Sequence, residues 1–199
     1  MLRSRTGWIR IGLLAVLSIG AVVPAAAEGW EIVPSIGFRT GGEFQEISTG
    51  RTPDLEPSVT FGLAANREIR PGAFIGGIWS RQPSEIQGFD EDVAVDYLHF
   101  QGIYEPKPEA KAGGYVLASA GLTFLSSSGS SSEVFMSLSA GGGGRFRLNR
   151  TLSLKVEGRF WASIVSGGTT VLCSGGCVFA ISGTGLFQME VSTGLAIAF

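Results

Sequence analysis

Residues 187–199 read Phe187-Gln188-Met189-Glu190-Val191-Ser192-Thr193-Gly194-Leu195-Ala196-Ile197-Ala198-Phe199. Successive side chains of an extended chain point to opposite sides. Phe187, Met189, Val191, Thr193, Leu195, Ile197 and Phe199 therefore share one face, and Gln188, Glu190, Ser192, Gly194, Ala196 and Ala198 share the other. One face is apolar and the other small or polar, which predicts a strand. Residues 151–164 repeat the pattern, with Leu152, Leu154, Val156, Phe160, Ala162 and Ile164 opposed to Ser153, Lys155, Glu157, Arg159, Trp161 and Ser163. Residues 133–148 set Val134, Met136, Leu138, Ala140, Phe146 and Leu148 against Ser137, Ser139, Gly141, Gly143, Arg145 and Arg147.

Further toward the amino terminus, 58–66 and 30–39 alternate in the same way, although Pro34 forfeits one ladder hydrogen bond. Segments 72–80, 93–104 and 114–125 are strand-like with less cleanly divided faces, giving eight predicted strands. The connections alternate in length. Residues 40–57, 81–91, 126–132 and 165–185 are long or rich in Gly, Ser, Pro and acids, whereas 66–71 and 148–150 are tight and 105–112 intermediate. Short turns at one rim and long loops at the other describe an all-β, antiparallel up-and-down barrel with both chain ends on the short-turn side.

Composition agrees. Of 199 residues 30 are Gly, 44% are hydrophobic and only 16% charged, which excludes a charged disordered chain or a long coiled coil. Lys+Arg 15 against Asp+Glu 17 offers no basic stripe, so nucleic acid is excluded as a partner. Residues 1–27 carry Arg3, Arg5 and Arg10, then an apolar run from Ile11 to Val23, then Ala25-Ala26-Ala27. This is the pattern of a cleaved secretory signal peptide on the general secretory route, leaving a single domain over 28–199. Removing the three leader arginines from the 15 basic residues leaves 12 against 17 acids, a net charge near −5.

The polar faces decide the surroundings of the barrel. They carry Glu31, Arg39, Arg145, Arg147, Lys155, Glu157, Arg159, Gln188 and Glu190. A soluble barrel would have to bury these ions in a dry core at several kcal/mol each unless paired. It would also expose the apolar faces to water. Lipid outside and a paired polar network inside remove both difficulties, and closure leaves no unpaired strand edge in the bilayer. Eight strands enclose an interior just wide enough for side chains, so a wide diffusion pore is excluded.

The signal peptide, the strand-turn-strand stretch from Gly143 to Glu157 and the final alternating strand ending in Phe199 together resemble the small eight-stranded outer-membrane β-barrel proteins of Gram-negative bacteria, of the outer-membrane protein A/X and opacity-protein type. The likeness covers roughly 28–199. It implies residence in the outer membrane, contact with its lipid and lipopolysaccharide, and recognition of Phe199 by the outer-membrane assembly machinery. It also implies extracellular loops with a structural or surface-interaction, adhesion-like role toward an extracellular ligand or surface partner. A peptidoglycan-binding tail domain, present in longer members, is not expected.

Other chemistry is sparsely represented. Cys173 and Cys177 are the only cysteines, and in an oxidising compartment this close pair is expected to form a disulfide rather than half a metal site. His99 shares a face with Tyr97 and Gln101. A lipid-A-modifying barrel enzyme would need a serine nucleophile near such a histidine, and position 101 is Gln, so no catalytic residue, metal or cofactor is expected. A narrow channel for small solutes or apolar ligands is the other alternative. At the Asn149-Arg150 hairpin the inward set is odd-numbered on both strands, so the loop must have odd length. Three residues is the simplest, with Arg147 facing Thr151; five would bring Gly143 opposite Glu157 and Gly141 opposite Arg159. Either way a glycine faces a long charged side chain.

Overall fold

The computed structural model describes residues 29–42, 44–46, 55–85, 92–127, 133–164, 179–181 and 185–199. The expected signal peptide and the Cys173–Cys177 pair lie outside them. The strands are β1 (Trp30–Gly41), β2 (Phe44–Glu46), β3 (Ser58–Arg70), β4 (Ala73–Glu85), β5 (Asp92–Tyr104), β6 (Ala112–Ser127), β7 (Glu133–Arg147), β8 (Leu152–Ile164), β9 (Phe179–Ile181) and β10 (Gly185–Ala198). Eight of them close in the order β1-β10-β8-β7-β6-β5-β4-β3, every neighbour antiparallel and the first strand sealed to the last. The β3–β4, β5–β6 and β7–β8 connections and both ends of the barrel share one rim, and the other four connections share the opposite one.

Three features differ from the sequence reading. First, β2 and β9 form a separate two-stranded pair, Phe44 opposite Ile181, inside connections read as loops. Three residues are too few for an alternating pattern to register. Second, β4 runs on to Glu85 and β6 to Ser127, so the links 86–91 and 128–132 are shorter than expected. Arg81 and Pro83 fall on the outward side of β4, where they interrupt the apolar pattern without ending the strand, and Pro83 stays in register opposite Ala94. Third, the β7–β8 loop has five residues, not three: Arg147 pairs with Ser153, Gly143 with Glu157 and Gly141 with Arg159. Asn149 widens it, because its Oδ1 accepts the N–H groups of Thr151 and Leu152 at 2.8 and 2.7 Å.

Pro34 acts locally. Its strand continues, and it stays opposite Leu63 of β3, but pairing with β10 skips Val33 and Pro34. The tightest turn, Pro71-Gly72, needs the positive φ of 76° that Gly72 supplies, and the Gly72 N–H donates to Glu68 Oε1 at 2.9 Å.

The two faces part as the alternation requires. Outward residues such as Phe38, Phe61, Phe100, Met136, Met189 and Val191 are exposed around the circumference. Barrel strands of 12–16 residues exceed the roughly 9–11 that a tilted strand needs to cross a bilayer. Such a belt is stable only against lipid, so the barrel spans a membrane. Inside, apolar side chains cap the two ends. Leu55, Val93, Val95, Tyr97, Leu125, Trp161 and Leu186 pack together toward the long-loop rim, and Phe74, Ile103, Tyr115 and Leu117 toward the short-turn rim.

Candidate functional site

Between those caps the interior is filled by charged and amide side chains, placed there because each stands on the inward parity of its strand. Near the short-turn rim, Glu31 of β1 accepts from Arg145 of β7 at 2.7 Å and from Asn66 of β3 at 3.1 Å, and Lys155 of β8 reaches it at 3.5 Å. Glu105, just past β5, takes Arg147 at 3.0 Å and lies 3.5 Å from Arg145. Arg147 also donates to the Ala110 carbonyl at 2.6 Å, tying β7 to the β5–β6 connection.

Deeper in, Arg159 of β8 donates to Glu157 at 2.8 Å and to Gln101 of β5 at 3.0 Å, while Tyr115 donates to the other Glu157 oxygen at 2.9 Å. Gln101 in turn donates to Asn66 at 2.8 Å, which links this group to the Glu31 cluster. Toward the long-loop rim, Glu190 of β10 accepts from Arg39 Nε at 2.9 Å, Trp161 Nε1 at 2.9 Å and Thr60 at 3.2 Å. Arg39 is fully buried, donates also to Ser80, and lies over the rings of Tyr97 and Trp161, which stack at 4.2 Å. Tyr97 donates to Gln188, and Gln188 to Gln82. Charge in a low-dielectric space is held here by opposite charge and by nearly complete hydrogen bonding, the condition under which burial is tolerated.

His99 stands beside this column. Its Nδ1 pairs with Ser119 at 2.8 Å and its Nε2 with Ser137 at 2.7 Å, and Ser119 pairs with Ser139 at 2.6 Å. An imidazole between hydroxyls has the parts of a general base and a nucleophile. Among the described residues no carboxylate orients the ring, and Trp161 packs edge-on against it at 5.0 Å. The cluster is buried, with His99 2% exposed.

Neither a family model nor a curated protein matches the chain. Solved structures do match. Neisserial surface protein A superposes with a TM-score of 0.65 at 12% identity, covering 86% of this chain and 98% of that one. The outer membrane protein OprG from Pseudomonas aeruginosa gives 0.51 at 8% identity, covering 87% and 98%.

The fold is that of the small eight-stranded outer-membrane barrels.

Within this outer-membrane barrel fold, the structure brings all eight charged residues singled out in the sequence, Glu31, Arg39, Arg145, Arg147, Lys155, Glu157, Arg159 and Glu190, to the interior side of the wall. Phe199 follows β10 and holds the seam, its N–H donating to the Trp30 carbonyl at 2.9 Å and its carbonyl accepting from Gly29 at 3.0 Å. The sequence reading did not single out Glu105, Tyr115, Asn66, Ser119, Ser137 or Ser139. Glu105 shares the odd parity of Tyr97, His99 and Gln101, the signal by which it was legible, but it sits one residue beyond the strand.

Proposed function

We propose that the chain is an exported outer-membrane barrel whose interior is a structural column and whose long-loop rim carries surface contacts with an extracellular ligand or surface partner. The filled interior carries this reading. Caps of apolar side chains and a chain of ion pairs leave little room for a solute path, which leaves the lipid face and the rim as working surfaces. At the rim, β2 and β9 pair beyond the barrel and Glu56 and Glu85 are exposed, giving a stiffened, acidic platform. The catalytic reading has weaker support, because the only histidine is enclosed with its serines.

The following measurements test it. Planar-bilayer recording of the refolded protein is expected to give no sustained conductance; regular single-channel steps would replace the structural reading with the narrow-channel one. Mass spectrometry of lipid A from cells with and without the protein is expected to show no difference, and whole-cell surface binding is expected to fall in a deletion strain. The barrel is also expected to fractionate with outer membranes and to change gel mobility on boiling, since a closed ladder in detergent unfolds slowly. Recovery from the soluble periplasm contradicts it.

Phe199 is proposed as the signal read by the outer-membrane assembly machinery, as the family resemblance implies. Its side chain sits at the rim, so Phe199→Ala removes at most about 1.5–3 kcal/mol of burial. Assembled barrel in cells is expected to fall several-fold while the refolded protein keeps most of its stability. Parallel losses in both assays would make Phe199 a packing residue only.

A further inference from the structure

The barrel interior encloses a cavity of about 30 Å³ whose walls come from both the Glu31 and the Glu190 groups. That volume holds about two particles the size of water, too little for phosphate, sulfate or a sugar. The charged residues on its wall, Lys155, Arg159, Glu157 and Glu190, are two of each sign, but they are not equally partnered. Arg39 takes Glu190, Arg145 takes Glu31 and lies 3.5 Å from Glu105, Arg147 takes Glu105, and Arg159 takes Glu157. Among the described residues Lys155 has no carboxylate of its own. It reaches Glu31 Oε1 at 3.5 Å, while Arg145 holds the same carboxylate at 2.7 Å.

An ammonium offers three N–H donors, and that one long contact engages a single one of them; the Tyr115 ring lies 4.6 Å from Nζ. Lys155 is 5% exposed, so water outside the barrel does not compensate it. Lys155 lines the cavity together with the hydroxyl-bearing Ser35, Ser80 and Ser192. The two carboxylates on the wall are already engaged, Glu157 by Arg159 and Tyr115, Glu190 by Arg39, Trp161 and Thr60. A cation has no free carboxylate there, and a neutral guest leaves the Lys155 ammonium with only its long, shared contact to Glu31.

We propose that this cavity is a binding site for one small monovalent anion of the halide class, chloride in the cell, held by Lys155 Nζ and the serine hydroxyls around it. The anion supplies the close counter-charge that Glu31, shared with Arg145, does not give Lys155, and joins the two halves of the polar column.

Bromide tests this directly, because it replaces chloride and scatters anomalously. Protein refolded and crystallised in bromide is expected to show an anomalous peak inside the cavity within hydrogen-bond distance of Lys155 Nζ; a cavity that holds only water overturns the proposal. In solution the unfolding midpoint of the unaltered barrel is expected to rise with chloride at constant ionic strength made up with sulfate, by mass action on the folded state. Lys155→Met removes the charge at similar length, leaves Glu31 with Arg145 and Asn66, and should abolish that rise. Ala64→Leu fills the cavity from its wall and keeps every charge, and should abolish both the rise and the bromide peak. A chloride response of equal size in either folded variant overturns the site. If Lys155→Met does not fold, the bromide peak and Ala64→Leu decide.

Discussion

Glu190→Ala is expected to destabilise the refolded barrel by about 3–5 kcal/mol, the range for breaking a buried ion pair from one side. Among the described residues Glu190 is the only carboxylate within salt-bridge reach of Arg39, whose guanidinium is fully buried and held between Ser80 and the Tyr97–Trp161 stack. Removing it strands that charge where water cannot follow, and also frees the Trp161 N–H and the Thr60 hydroxyl. Urea unfolding in lipid vesicles, followed by tryptophan fluorescence and gel mobility, reads the loss. The double variant Arg39→Met/Glu190→Leu should recover a substantial part, because it removes both charges and leaves apolar volume beside Tyr97 and Trp161. A single-variant loss under about 1 kcal/mol, the level of an exposed pair, would mean that Glu190 is hydrated and the interior open.

How much of this was legible in the sequence follows from what a period of two encodes. Alternation assigns a side chain to the inside or outside of a wall, so Arg39, Lys155, Arg159 and Glu190 were recognisable as interior residues from spacing alone. Adjacent-strand pairing was nearly legible too, since Arg39 lies directly across from Glu190 in the β1–β10 register. Contacts across the lumen were not. Arg145 on β7 meets Glu31 on β1, 114 positions away, only because closure and tilt bring two non-neighbouring strands to the same height. The His99 cluster was hidden for a related reason: Ser119 stands on β6, where Gly, Ala and Ser occupy both faces and blur the alternation. The five-residue loop was undecided by parity, which admits any odd length, and was fixed by the Asn149 side chain.

Gly143→Leu is expected to cost about 3 kcal/mol or more, at or beyond the upper end of the overpacking range, whereas Ala140→Leu, three residues away, should stay within about 0.5 kcal/mol. The register sets the contrast. Gly143 faces inward opposite Glu157, and a Cβ built there falls inside contact distance of the Val156 carbonyl oxygen and 3.0 Å from both Glu157 Cα and the Tyr115 hydroxyl. Ala140 faces lipid between Ala118 and Phe160, where added methylenes meet hydrocarbon. The nearest obstacle at Gly143 is backbone rather than the end of a flexible charged side chain. Gly143→Ala is therefore expected to cost nearly as much as Gly143→Leu. If room for the Glu157 side chain were the only requirement, a methyl group would be tolerated and only leucine would be harmful. Gly158 supplies the control on the adjoining strand: it is exposed, and a Cβ there meets nothing within 4 Å, so Gly158→Ala should be nearly neutral in the same unfolding assay. Equal effects at 143 and 158 would invert the faces of β7 and β8, and with them the inside and outside of the barrel.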